Sequence, residues 1–149
     1  MKSNTRETYR IREIDGTDED VAYTLTELHE STFLDSAPVP KFDRGHWWFA
    51  FRGSEPVGFA GMIPSTHVSN AGYLCRVGVL GRHSGRQLQL RLMRAMEARA
   101  RLSGWCSIVS DTTNNVRSAN NFIRAGYRLF IPSHPWAWPS TLYWHKAIK

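Results

Sequence analysis

The chain predicts an α/β fold, a mixed β-sheet with helices packed on it in the order β-α-β-β-β-α-β-α-β-β. Three observations carry this expectation. The aromatic run Trp47-Trp48-Phe49-Ala50-Phe51 is followed by turn residues and a second apolar run, the signature of a hairpin. Between Val77 and Tyr127 the pattern passes from strand to helix and back: a strand, a loop opening a basic helix, a second strand and a short helix led by Asn. The 149 residues, 42% of them hydrophobic, contain no repeat and no low-complexity stretch, so one domain over 1–149 is expected.

Residues 8–14 alternate in the manner of a strand, and Gly16 breaks it. Thr17 followed by Asp18, Glu19 and Asp20 signals a helix start with acids in its first turn. Val21, Leu25, Leu28 and Phe33 then form its apolar stripe. Pro38 and Pro40 enforce a loop. The strand at Trp47–Phe51 turns at Arg52-Gly53-Ser54-Glu55-Pro56 and returns over Val57–Ile63. A polar loop at 65–70 leads into a strand at Tyr73–Leu80. The next helix, Leu88–Ser103, lines up Leu88, Leu92, Ala95, Met96 and Ala100 on one face and stops at Gly104. Trp105–Ser110 is a strand, Val116–Ala125 a helix closed by Gly126, and Tyr127–Ile131 a strand. A Pro-stiffened loop at 133–139 precedes the last strand, Thr141–Ile148.

Composition narrows the function classes. The N-terminal Met1–Glu7 has no apolar core and does not read as a signal peptide, and no apolar run reaches the roughly 18 residues of a membrane span. Cys75 and Cys106 sit in apolar strand-like contexts and read as reduced core thiols of a cytoplasmic protein, not as a disulfide framework. The six His have no ligand spacing with them, so no metal is expected. The net charge is +6, and Arg82, Arg86, Arg91, Arg94, Arg99 and Arg101 crowd one segment. For any single Arg a solvated helix face is the plain reading; together they make a field that attracts an anion. A single-stranded nucleic-acid binder also fits charge with interleaved aromatics. The clustering on one helix and the lack of an RNA-binding motif argue against it.

The loop Ser84-Gly85-Arg86-Gln87-Leu88-Gln89 enters the basic helix, and a helix N-terminus offers free N–H groups and a favourable dipole to a phosphate. This loop, with Val77-Gly78-Val79 before it and Leu92-Met93 after it, resembles the cofactor motif of the GCN5-related N-acetyltransferases, the GNAT family. Asn115-x-x-Ser118-x-x-x-Phe122-x-x-x-Gly126-Tyr127 resembles that family's second motif at every position, and the element order agrees over nearly the whole chain. Ser84 stands where the family has Arg or Gln, and Gln87 and Gln89 stand where it has small residues. A second register starts the motif at Arg82 with Gly85 as its first glycine, at the expense of the helix stripe.

The resemblance implies an enzyme that moves an acetyl group from acetyl-coenzyme A to an amine of a small molecule or peptide. It implies that the Val77, Gly78 and Val79 backbone pairs with the pantetheine in a gap between splayed strands, that the N–H groups of Arg86, Gln87, Leu88 and Gln89 hold the pyrophosphate, and that Ser84 and Gly85 belong to the same cofactor-binding loop. Asn115 is first of all a helix cap; the resemblance adds a cofactor contact for it, for Ser118 and for Phe122. Many relatives have Tyr at the position of Phe122, where the hydroxyl protonates the departing thiolate. Without it, Tyr127, Tyr143 and Cys75 are the candidate proton donors. The base that deprotonates the amine is to be sought among His67, His83, Asp111 and His134, with Asp111 best placed and His83 expected to be exposed. The acceptor is expected between 31–45 and 132–140, among Phe33, Phe42, Trp47, Trp136 and Trp138. One of Trp47 and Trp48 is expected in the core. The final hairpin is expected to support a homodimer. A different class stays open: Phe122 and the Gly-poor loop also suit a sensor or scaffold that binds acyl-coenzyme A without turnover.

Overall fold

In the computed structural model, which describes residues 8–34 and 36–148, seven strands form one sheet in the order β1-β2-β3-β4-β5-β7-β6. The elements are β1 (Tyr9–Ile14), α1 (Glu19–Phe33), β2 (His46–Arg52), β3 (Glu55–Pro64), β4 (Ala71–Val79), a 3₁₀ turn (Gly81–His83), α2 (Leu88–Leu102), β5 (Ser107–Thr113), α3 (Val116–Arg124), β6 (Arg128–Phe130) and β7 (Thr141–Ala147). The expected order holds throughout. The Met1–Glu7 segment, read above for a signal peptide, lies outside the described residues.

Strand alternation lets the sheet bury both faces. Trp47, Phe49 and Phe59 pack with Leu25 and Leu28 of α1. Trp48, Ala50, Ala60 and Met62 pack with Leu88, Leu92, Met93 and Met96 of α2 and with Phe122 of α3. Both tryptophans of the pair are therefore core, 1% and 3% exposed, where the sequence promised only one. The α1 helix starts one residue later than read: Asp18 is its cap, accepting from the N–H groups of Asp20 and Val21, while Thr17 is tied to Asp15.

Antiparallel pairing runs from β1 to β4. It is irregular at one place that matters. Met62 pairs with Leu74 and Gly61 with Arg76, so Cys75 is an extra residue in β4, a β-bulge that bends the strand. The parallel pairing of β4 with β5 covers only Ala71–Tyr73 against Ser107–Val109. Beyond Tyr73 the two strands part. Ser110 Oγ donates to the Leu74 carbonyl at 2.7 Å, which satisfies one acceptor that the broken ladder leaves behind. On its other side β5 stays fully paired with β7, from Ser107 opposite Ala147 to Thr113 opposite Thr141. The opening is thus a wedge in the middle of the sheet, held apart on one side by the bulge and on the other by a continuous ladder.

Candidate active site

The wedge has two connected parts. The larger is a cleft of about 590 Å³ between the α1 end, β4, the loop before α2, and α3. Val77, Gly78 and Val79 form one wall, Ser84, Gly85, Gln87, Leu88, Gln89 and Leu90 another, and Asn115, Arg117, Ser118 and Arg124 a third. The smaller is a notch of about 250 Å³ where β4 and β5 separate, lined by Phe33, Tyr73, Cys75, Ser110, Asp111 and Phe122, among others. Val77, Asn115 and Ser118 border both.

At the α2 end of the cleft, Gly85 and Gln87 have positive φ, 79° and 60°. Gln87 is the residue before the helix and makes no side-chain cap. The first helical N–H groups, of Leu88, Gln89 and Leu90, lack intrahelical acceptors and sit in the cleft wall, an arrangement that binds anions. The left-handed turn at Gln87 fits the motif register that starts at Ser84, because that is where the resemblance expects a small residue. Gln89 turns its amide toward α3, where its Oε1 accepts from Asn121 at 2.9 Å. Arg86 folds back on the Ser84 carbonyl at 3.2 Å and does not line the cleft. Arg117 and Arg124 supply the cations of the mouth. Asn115 caps α3 by accepting from the Ser118 N–H at 3.0 Å.

At the notch end, one Asp111 carboxylate oxygen, Oδ2, receives the Tyr73 hydroxyl at 2.5 Å and the Trp136 indole N–H at 2.9 Å. Trp136 stacks on His67 with ring centres 4.6 Å apart and leans edge-on against Tyr143 at 4.6 Å. Tyr143 Oη accepts from the Ala137 N–H, which anchors the loop that carries Trp136. Burial, reinforced by the Asp111 charge, pushes the Tyr73 hydroxyl well above the usual tyrosine range. Burial pushes the Cys75 thiol up to about 11.

The structure separates the remaining candidates. Tyr127 lies in the core between Phe122 and Lys146 and lines neither cavity; its buried hydroxyl finds no hydrogen-bond partner among the described residues. Tyr143 likewise stays behind Trp136, outside the notch. His83, expected on the surface, is 4% exposed and bonds Tyr9 Oη at 2.9 Å, because β1 runs close to the 3₁₀ turn. His134 is exposed and in neither cavity. Of the acceptor-side aromatics, Phe33 lines the notch and Trp136 backs it, whereas Phe42 and Trp47 are buried against each other and Trp138 is exposed. Cys106, read as a core thiol, is exposed just before β5 and accepts from the Asn70 amide. Tyr73 was not singled out by its sequence context: an apolar strand with one Tyr reads as packing, and only the pairing of β4 with β5 brings it to Asp111.

A wedge between parallel strands that leads from a helix N-terminus to a carboxylate suits a long anionic donor meeting a second substrate. The sequence profile of the acetyltransferase (GNAT) family matches residues 8–127. The chain belongs to the GNAT family. It is an acyltransferase by that membership. Solved GNAT structures share its fold. An aminoglycoside 6'-acetyltransferase type Ii superposes with a TM-score of 0.75 at 19% identity, covering 94% of this chain and 97% of that one. An acetyltransferase from Bacillus subtilis in complex with CoA gives 0.73 at 14% identity, covering 95% of this chain and 100% of that one. A GNAT acetyltransferase from Staphylococcus aureus gives 0.72 at 17% identity over 95% and 100% of the two chains. No curated protein matches the chain in sequence. Among the described residues, no helix of this GNAT protein is long and apolar enough to cross a membrane, and no group of His, Cys, Asp and Glu is placed to hold a metal.

Proposed function

We propose that the protein transfers an acetyl group from acetyl-coenzyme A directly to an amine of a small molecule or peptide. The observation that carries this reading is the continuity of cleft and notch: the anion-binding end at α2 and the carboxylate at Asp111 lie along one path through the sheet. The N–H groups at the start of α2, with Ser84, Gly85 and Gln87, take the pyrophosphate, and Arg117 and Arg124 balance further phosphate charge. The backbone of Val77, Gly78 and Val79 pairs with the pantetheine, since β4 has no strand partner there on the β5 side. Asn115, Ser118 and Phe122 hold its thioester end. Arg86 contributes through its backbone.

Asp111 is the base. Its carboxylate faces the notch and is held by two donors on one oxygen, and Oδ1 takes no hydrogen bond among the described residues. Orientation of amine and thioester in the wedge supplies much of the rate. The two free thiols suit a reducing cytoplasm. A second copy has an edge to pair with at β6, where Leu129 and Ile131 are exposed. Calorimetric titration with acetyl-coenzyme A, with free-thiol release followed as amines are added, tests the reading. Binding with release supports it. Binding without release for any amine favours a sensor, the reading that Phe122 also supports. Failure to bind removes the cofactor assignment.

A further inference from the structure

We infer that Tyr73 and Asp111 act as one proton-relay pair, with Tyr73 as the catalytic acid that protonates the leaving sulfur. The inference rests on the transfer chemistry proposed above and deepens it. Acetyl transfer forms a C–N bond and breaks a C–S bond, so one proton must leave the nitrogen and one must reach the sulfur. Few groups lining the notch have a proton to give. Phe122 has none. The Ser110 hydroxyl is committed to the Leu74 carbonyl at 2.7 Å. Ser36 Oγ donates to the Phe33 carbonyl at 2.5 Å, the buried Thr112 hydroxyl faces Trp144, whose indole N–H it accepts, and Thr113 pairs with Thr141. Ser118 and Cys75 remain, but Ser118 sits on the first turn of α3 beside its cap, and neither side chain is hydrogen-bonded to a carboxylate that could restore its proton among the described residues. Tyr73 differs from all of these. It lines the notch and its hydroxyl is 2.5 Å from the carboxylate that takes the other proton.

The pair works in a balanced cycle. Oδ1 of Asp111 takes the proton of the attacking amine. Tyr73 Oη gives its proton to the departing sulfur. Asp111 then returns a proton to Tyr73, and both groups end as they began, with amide and free thiol as products. The direction of flow follows from charge. Burial opposes loss of the Tyr73 proton, and the ionised Asp111 adds to that opposition; once the amine proton neutralises the carboxylate, its share is gone and the hydroxyl becomes a stronger acid than before. The thiolate therefore receives its proton only after the amine has delivered one, which couples bond formation to bond breaking. The charged and titratable groups facing the pair are Arg76 and Cys75 of β4.

The experiment uses the full chain with acetyl-coenzyme A and the best amine found in the panel. Tyr73→Phe and Asp111→Asn are each expected to lower kcat by about a hundredfold or more at unchanged KM for acetyl-coenzyme A. The double variant is expected to be no more than a few-fold worse than the poorer single one, because the two act as a unit. A second readout needs no turnover: the ultraviolet absorbance of the coenzyme A thiolate bound to the protein. It is expected to appear at lower pH in Asp111→Asn than in the wild type, and to move back up when Tyr73→Phe is added, since the hydroxyl turns to the sulfur anion once the carboxylate charge is gone. A Tyr73→Phe enzyme within twofold of wild-type kcat, losses that multiply in the double variant, or an unchanged thiolate titration would each overturn the relay while leaving acetyl transfer standing. A wild-type protein that releases no thiol with any amine would sink both.

Discussion

Gln87 stands at φ 60° where the chain turns into α2, and its side chain makes no cap. A left-handed conformation costs an L-residue about 1–2 kcal/mol, against roughly 0.5–1 kcal/mol of extra entropy that glycine loses on folding. Gln87→Gly should therefore gain up to about 1 kcal/mol and raise Tm by about 1–4 °C, without weakening acetyl-coenzyme A. A lower Tm for the glycine variant would show that the side chain has a role the structure does not display. Trp136 poses a different question at the same scale. It fixes Asp111 from behind the notch by one N–H donation, while its ring rests on His67 and Tyr143. Trp136→Phe keeps ring packing and removes the donor. Hydrogen bonds to charged groups contribute about 1.5–3 kcal/mol, so kcat should fall by about tenfold or more with KM for acetyl-coenzyme A unchanged. A change confined to KM would instead place Trp136 in substrate binding. Of this site the sequence made legible those residues whose role is local: Asn115 as a cap, the loop before α2, the strand at Val77–Val79. Tyr73, and the burial of His83 by Tyr9, depend on contacts between residues 38 and 74 positions apart, which no local pattern encodes.

Among the elements, α1 and β4 are joined by a polar clamp. Arg76 Nε donates to His29 Nε2 at 3.1 Å, another of its nitrogens reaches the Pro38 carbonyl at 2.9 Å, and its guanidinium lies over Phe33. His29 is fully buried and stacked on Phe33. Its proton sits on Nδ1, because Nε2 must accept. Burial, and then the Arg76 charge, holds its pKa below the ordinary value of 6.5. At low pH the unfolded chain takes up a proton that the folded imidazole refuses, so stability is complete above the ordinary value and falls as pH drops below it. His29→Gln retains an acceptor for Arg76 and removes the titration. The urea midpoint of the wild type should therefore drop between about pH 8 and pH 5 by more than that of the variant. Equal slopes would mean that folded His29 takes up a proton as readily as the unfolded residue does. Phe33, on the clamp, also lines cleft and notch, so acid should loosen the α1 wall of the site before the sheet. The order of elements was readable because each has its own period and punctuation. The bulge at Cys75 was not, since it is defined only by the register against Gly61 and Met62.

For the whole molecule, the wedge is a fault built into an otherwise continuous sheet. Two cores cover the two faces of the sheet, and the one under α2 reaches from Trp48 and Met62 on one side of the wedge to Ile108 and Trp144 on the other. Across the gap, β4 and β5 are joined by their short ladder, the Ser110–Leu74 bond and the Tyr73–Asp111 bond. A ligand lying in the wedge would replace the missing ladder and tie α1, α2 and α3 to the same object. Acetyl-coenzyme A bound there, as proposed, would stabilise the global fold and not one loop. At a concentration about 100 times its Kd the linkage is about 2.7 kcal/mol, which for a chain of this size corresponds to a rise in Tm of roughly 5–11 °C. Because Arg117, Arg124 and the α2 N-terminus line the cleft and would face the phosphates, the rise should shrink as salt is added. Desulfo-coenzyme A, which keeps every phosphate and the pantetheine chain but has no sulfur to carry the acetyl group, should give nearly the same rise. A large rise with acetyl-coenzyme A and none with the desulfo analogue would mean that the thioester end, at the notch, dominates binding, and that the cleft beside α2 contributes little.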